Sequence, residues 1–182
     1  MKFKRLFDVL FAALTIILLG WLLFVSYIIA TIDTRSNGVF IQKRIGQYGL
    51  PFSIFKLKTI RPKTRKISVV GKFFRQYKID EFPQLWNIFI GNMSMVGPRP
   101  DVQGYYDLLE GENRKILELK PGLTSLTSIK YGDEEEILKK QDNPLQYNDK
   151  VIFPDKVKMN MEYYYNNSIF GDIKIIIKTI FR

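Results

Sequence analysis

From Val9 to Ile32 the chain runs 24 residues without a charge. As a helix that run is about 36 Å long, enough to cross a bilayer. A cleaved signal peptide is a poor match, because the apolar run is too long and no A-x-A-like site follows it. Polar and apolar positions then begin to alternate. VFIQKR and FSIFKLKTI, joined by IGQYGLP, predict a β-hairpin: β-branched and aromatic residues in the arms, and Gly46, Gly49 and Pro51 in the connection. Strand alternation places Lys56 and Lys58 of the second arm on one face. Arg61 to Lys66 is a polar basic loop, and Val69 to Tyr77 is helical in pattern.

Further along, Pro83 opens a helix whose apolar face carries Leu85, Trp86, Ile88 and Phe89, and Gly91 stops it. GPRP, Gly97 to Pro100, is a stiff turn around Arg99. Asp101 to Leu119 predicts a helix broken at Gly111. KPGLTSLTSIKYGDEEEIL reads as a loop followed by an acidic helix start. Pro154 starts a helix through Tyr165. A last helix, Ile173 to Phe181, alternates Ile with Lys in a way suited to a membrane surface. The pattern as a whole predicts an α+β, mainly helical fold with a small hairpin and amphipathic surface helices. Residues 1–33 form an N-terminal membrane helix and residues 34–182 a second domain.

The flanks of the apolar run leave its topology open. Lys2, Lys4 and Arg5 precede it, and Arg35, Lys43 and Arg44 follow it. Positive residues mark the cytoplasmic side, yet both flanks are positive. A plain span and a re-entrant helix that enters one leaflet and returns are both compatible with this. Gly20 and Ser26 soften the helix, which contains no proline. Asp8, at the start of the run, needs the interface or a partner such as Arg5.

Composition narrows the chemistry. The chain has 182 residues, a formal net charge of +10, no His and no Cys. Disulfides, thiolate catalysis, the Ser-His-Asp triad and His-ligated zinc are excluded together. Any metal would be held by oxygen, with Mg²⁺ or Mn²⁺ leading. The positive balance calls for an anionic partner: nucleic acid, anionic lipid or a phosphorylated substrate. From Thr34 to Ile79 there are twelve Lys or Arg residues and no Asp or Glu. A solvated or lipid-facing surface explains much of that stretch. The fourteen Phe and ten Tyr are read as core and membrane-interface residues rather than base-stacking platforms.

KIDEFPQLWN, Lys78 to Asn87, then places two carboxylates side by side. Taken alone, Asp80 is an N-cap near the helix that Pro83 opens. The same place suits a nucleophile, because adjacent helical residues point about 100° apart. One carboxylate is then free to attack phosphorus, giving an acyl phosphate, while the other holds a metal. Arg99, held by two prolines and a glycine, suits bidentate phosphate recognition, although an Arg packed in an ordinary loop has the same sequence.

PFSIFKLKTI, GKFFRQYKIDEFPQLWNIFIGNMSMVGPRP, LKPGLTSL and GDIKIIIKTI, in this order, resemble the bacterial sugar transferase family, the small monotopic phosphoglycosyl transferases. With the apolar segment they cover almost the whole chain. D-E-x-P-Q-L-x-N followed by G-x-M-S-x-V-G-P-R-P is the specific part. The resemblance implies transfer of a sugar-1-phosphate from a UDP-sugar to a polyprenol phosphate such as undecaprenyl phosphate, with release of UMP. It implies Asp80 as nucleophile, Glu81 as partner carboxylate at a Mg²⁺ site, Arg99 as phosphate ligand, and Lys56 and Arg75 as residues shaping the site. It also implies a re-entrant N-terminal helix and a catalytic domain at the cytoplasmic face of a bacterial inner membrane, in contact with its lipids. No nucleic-acid partner is expected. Two features depart from the family pattern. Gly20-Trp21 stands where the family's helix carries Ser-Pro, and GLTSLTSIKYGDEEEIL replaces the common G-x-T-G-L-x-Q-V-x-G-R loop. No particular sugar is implied. Two other readings compete: a non-enzymatic basic adaptor that binds anionic lipid or nucleic acid, and a plain lipid-linked glycosyl transferase releasing UDP.

Overall fold

The computed structural model describes residues 2–181, with Lys2 by its backbone alone. The Lys2 side chain, counted above in the positive flank, therefore lies outside the described residues, as do Met1 and Arg182. The fold is mainly helical, with one small hairpin and one long apolar N-terminal helix. It divides into two compact units. The first holds the residues up to Arg44 together with Pro51–Met93, and the second holds Ile45–Leu50 and everything from Ser94 on.

The first unit begins with helix α1, Lys2–Thr34. Three of its hydroxyls bond within the helix: Thr15, Thr31 and Thr34 donate to the carbonyls of Phe11, Tyr27 and Ala30 at 2.7–2.8 Å. Its buried positions fall into two groups at four-residue spacing: Asp8 and Ala12, then Ser26, Ala30 and Thr34. From Ala13 to Val25 no residue is buried. Both ends are fastened to later parts of the same unit. Arg5 donates to the carbonyls of Ile88 at 2.6 Å and Phe89 at 2.9 Å. Asp33 accepts from the Arg61 guanidinium at 2.9 Å and from the Ser68 hydroxyl.

Strands β1, Val39–Ile45, and β2, Pro51–Leu57, form the expected hairpin. Its turn passes through Tyr48 and Gly49, both left-handed. Lys58 lies just past β2 and donates to Ser36, so it does not share the surroundings of Lys56. The basic loop is closed by an antiparallel bridge between Ile60 and Ile67. Helix α2, Val69–Gln76, is capped by Ser68, whose Oγ accepts from the Gly71 amide at 2.8 Å. Gly71 is required there, because a Cβ would overlap the Thr59 carbonyl oxygen. Phe74 of α2 packs with Ala30 of α1 and Leu57 of β2. Helix α3, Gln84–Ile90, ends as expected at Gly91, φ 102°. Asn87 is fully buried and ties α3 to β2, donating to the Ser53 carbonyl at 2.7 Å and accepting from the Phe55 amide at 3.1 Å.

The second unit corrects two expectations. The stretch expected as a loop contains strand β4, Gly122–Thr124, which pairs in parallel with β3, Ser94–Val96, in the register Ser94 to Gly122 and Val96 to Thr124. Neither Gly97 nor Gly122 has room for a Cβ: at Gly97 it would strike the Lys120 carbonyl oxygen, and at Gly122 the Gly97 backbone. The helix expected over Asp101 to Leu119 is instead two 3₁₀ segments, Tyr106–Leu108 and Gly111–Glu118. Asp107 Oδ1 accepts from the amides of Gly104 and Tyr105, at 2.7 and 3.0 Å, and these local bonds compete with a helical ladder. Gly104 and Gly111 adopt positive φ.

Five helices complete this unit: α4, Leu126–Lys130; α5, Glu134–Lys139; α6, Pro144–Tyr147; α7, Phe153–Asn166; and α8, Ile169–Ile180. Pro154 sits in the first turn of α7, as expected, and α8 starts four residues earlier than Ile173, under a Ser168 cap. The core gathers Ile45, Tyr106, Ile116, Leu117 and Val157. Asn160 satisfies the buried Tyr106 hydroxyl at 2.7 Å. Tyr163 joins α7 to β3 and α8 by donating to the Val96 carbonyl and to Asp172.

Candidate active site

The two adjacent carboxylates lie in a turn made by the end of α2. The Tyr77 amide closes on Phe73 and the Lys78 amide on Arg75. Lys78 then adopts a left-handed conformation, φ 55°, ψ 20°, and Ile79–Glu81 forms a single 3₁₀ turn. A non-glycine residue costs on the order of 1 kcal/mol in that conformation. The reversal carries Asp80 and Glu81 inward, to 8 % and 7 % exposure.

Asp80 is not the helix cap that its residue type suggests. The residue before α3 is Pro83, which has no side-chain hydrogen bond to offer. Glu81 receives the Lys56 ammonium from β2 at 3.0 Å. Asp80 Oδ1, by contrast, is buried without a hydrogen-bond partner among the described residues. Burial pushes the Asp80 carboxyl above the usual carboxylate range, and the charge of Glu81 pushes the same way. Lys56, Lys78 and Arg75 pull against both without prevailing. Arg75 is oriented by Thr59, whose Oγ1 accepts from its Nε at 3.0 Å.

Lys56, Arg75, Asp80 and Glu81, four of the five residues singled out from the sequence, thus belong to the first unit, and the last two share one turn. Arg99 belongs to the second unit. There, with Pro98 and Pro100, it lines a narrow recess also bounded by Gly46, Leu119 and Pro121.

Sequence reasoning passed over Lys78 and Gln84. Gln84 is 3 % exposed, and its Nε2 is buried without a hydrogen-bond partner among the described residues. Its spacing of four from Asp80 was the available signal, since residues four apart on a helical path share a face. Among the described residues no group of three or more acidic side chains gathers to hold a metal ion. The donor set at this turn is two carboxylates, one with an open oxygen.

The sequence model of the bacterial sugar transferase family matches residues 1–182. The chain belongs to that family. Among its relatives is the UDP-glucose:undecaprenyl-phosphate glucose-1-phosphate transferase of Klebsiella pneumoniae, 31 % identical over all of this chain and 40 % of that protein. The transferase of the same name in Caulobacter vibrioides is 29 % identical over 97 % of this chain and 68 % of that protein. The exopolysaccharide production protein ExoY of Rhizobium meliloti is 30 % identical over 97 % of this chain and 83 % of that protein. The chain thus spans well under half the length of the Klebsiella relative and most of the length of ExoY.

Proposed function

We propose that this bacterial sugar transferase moves a sugar-1-phosphate from a UDP-sugar to polyprenol phosphate through a phosphosugar on Asp80, releasing UMP. The observation that carries this reading is the buried Asp80 carboxylate with Oδ1 uncommitted, beside a Glu81 already paired to Lys56. A structural carboxylate at that depth is ordinarily hydrogen-bonded. An open, poorly solvated carboxylate oxygen is a nucleophile that needs no histidine base.

The bonds balance in two displacements. A carboxylate oxygen of Asp80 attacks the sugar-side phosphorus of the donor. The new O–P bond forms as the bond to the bridging oxygen breaks, and UMP leaves with that oxygen. A phosphate oxygen of the polyprenol acceptor then attacks the same phosphorus. The bond to Asp80 breaks, the carboxylate is regenerated, and a polyprenyl diphosphosugar departs. Lys56, Lys78 and Arg75 supply positive charge around Asp80, where negative charge accumulates in transfer. Arg99 is assigned to donor phosphate.

Glu81 fits the role of a Mg²⁺ ligand beside the Asp80 nucleophile. One carboxylate is too few to enclose the ion, but Mg²⁺ usually takes only one or two and completes its shell with water and substrate phosphates. When bound, the ion offsets phosphate charge.

The membrane arrangement belongs to the same reading. Arg5 and Asp33, near opposite ends of α1, are both hydrogen-bonded to polar groups of the first unit. A plain span would put hydrocarbon between those ends. The unburied stretch from Ala13 to Val25, about 20 Å of helix, suits a re-entrant segment with both ends at the cytoplasmic face of the inner membrane, where a soluble donor and a lipid-borne acceptor meet.

Nucleotide release tests this function. The full chain in nanodiscs is incubated with a panel of UDP-sugars, Mg²⁺ and undecaprenyl phosphate. UMP is expected from one donor, and Asp80→Asn is expected to lower its release by about 10³-fold or more while the protein stays folded. Release of UDP would assign plain glycosyl transfer instead and remove the nucleophile role from Asp80.

A further inference from the structure

The backbone from Ile79 to Ile90 keeps winding in one sense. The 3₁₀ turn leads into Phe82, φ −54°, ψ −35°, and Pro83, φ −58°, ψ −18°, and then into α3. Asp80 and Gln84, four residues apart, therefore fall on one face of this path. Each carries a buried polar atom without a hydrogen bond among the described residues: an acceptor, Oδ1 of Asp80, and a donor, Nε2 of Gln84. The two side chains do not satisfy each other. The other buried amide of the same short helix shows what a structural role looks like, for Asn87 spends both ends of its carboxamide on the β2 backbone. Leaving an amide donor buried and unpaired forfeits the hydrogen bond it would make to water. A ligand that brings an acceptor to Gln84 and an electrophile to Asp80 would remove that cost at both atoms together.

A tetrahedral phosphoryl group has both. We infer that the Gln84 carboxamide binds a non-bridging oxygen of the phosphoryl group that Asp80 attacks, making Gln84 a substrate-binding residue specific for the sugar-side phosphate. The assignment rests on the transferase reading above. A carboxamide also suits this position because it donates a hydrogen bond without adding charge, whereas a further cation would stabilise the Asp80 carboxylate and weaken it as a nucleophile.

UDP carries a phosphate in the sugar-side position and UMP does not, so the pair isolates the contact. Binding of each to the detergent-held full chain is measured by calorimetry in Mg²⁺, for the natural protein, Gln84→Ala and Gln84→Glu. Gln84→Ala is expected to weaken UDP by about 10-fold or more, the scale of one hydrogen bond to a charged group, and to leave UMP within about twofold. Gln84→Glu, of nearly the same shape, sets an acceptor against the phosphate and is expected to weaken UDP further, again sparing UMP. The ligand-free melting temperature is expected not to fall in Gln84→Ala, because the lost amide had no partner. Unchanged UDP affinity, equal losses for both nucleotides, or a ligand-free Tm lowered by several degrees would each overturn the assignment. Undiminished UDP binding by Asp80→Asn alongside loss of UMP release keeps this test separate from the test of the nucleophile. A natural chain that binds neither nucleotide overturns the transferase reading and the Gln84 assignment with it.

Discussion

The Lys56 ammonium on β2 meets Glu81 Oε1 at 3.0 Å, with the two side chains 19 % and 10 % exposed. This pair lets two carboxylates stand next to each other at that depth, because it offsets one of them and leaves the other open. Buried pairs are costly to break from one side, since the remaining charge is stranded. Lys56→Met is therefore expected to destabilise the protein by about 1–3 kcal/mol, read from chemical unfolding in detergent. Adding Glu81→Gln is expected to recover more than half of that loss. A double variant no more stable than Lys56→Met would mean that the pair is not what Lys56 contributes.

Asp80 carries the opposite energetic sign. Its carboxyl is raised, first by burial and then by Glu81, so between its unfolded and folded pKa the native state holds more protons than the unfolded chain. Stability then falls as pH rises through that window, and the penalty is complete once pH exceeds the folded value. Asp80→Asn is expected to raise the melting temperature at pH 7–8, on the order of 2–4 °C, the scale of ~1 kcal/mol in a chain of this size. The gain is expected to shrink as pH drops into that window. A lower Tm at neutral pH would show that the three nearby cations outweigh burial.

A metal held by one carboxylate, Glu81, and by substrate phosphates is recruited with the substrate. In the absence of nucleotide, Mg²⁺ is expected to leave the melting temperature within about 1 °C. EDTA is expected to abolish UDP binding and UMP release, with full recovery on adding Mg²⁺ or Mn²⁺. A ligand-free protein that Mg²⁺ stabilises by several degrees would instead require a preformed site.

What the sequence made legible is what is locally encoded. The hairpin declared itself through β-branched arms and a Gly- and Pro-containing connection, α2 through the helical pattern from Val69, and α3 through the Gly91 stop. The Asp80-Glu81 pair was legible as chemistry, and its depth was not, because that depth depends on Lys78 turning left-handed before it. The β3–β4 ladder escaped notice since each strand is three residues long and its meaning lies in a pairing of Ser94 with distant Gly122. The expected helix from Asp101 failed on a side chain, Asp107, whose bonds to Gly104 and Tyr105 have no periodic signature. Gln84 went unmarked because its importance is an unmade bond, and a missing partner can only be read in three dimensions.

The fastening of both ends of α1 gives the last prediction. Phe3 is 80 % exposed near one end, and Lys63 lies in the exposed loop whose first residue, Arg61, is bonded to Asp33 at the other. The chain has no cysteine of its own, so Phe3→Cys and Lys63→Cys each report a single site. Both are expected to resist a membrane-impermeant maleimide added to intact cells and to react in inverted vesicles. A plain span would expose exactly one of the two from outside. That outcome would require the Arg5 and Asp33 contacts to form on opposite sides of a bilayer, which one compact unit cannot do, so the re-entrant arrangement and the fastening observed here would fall together.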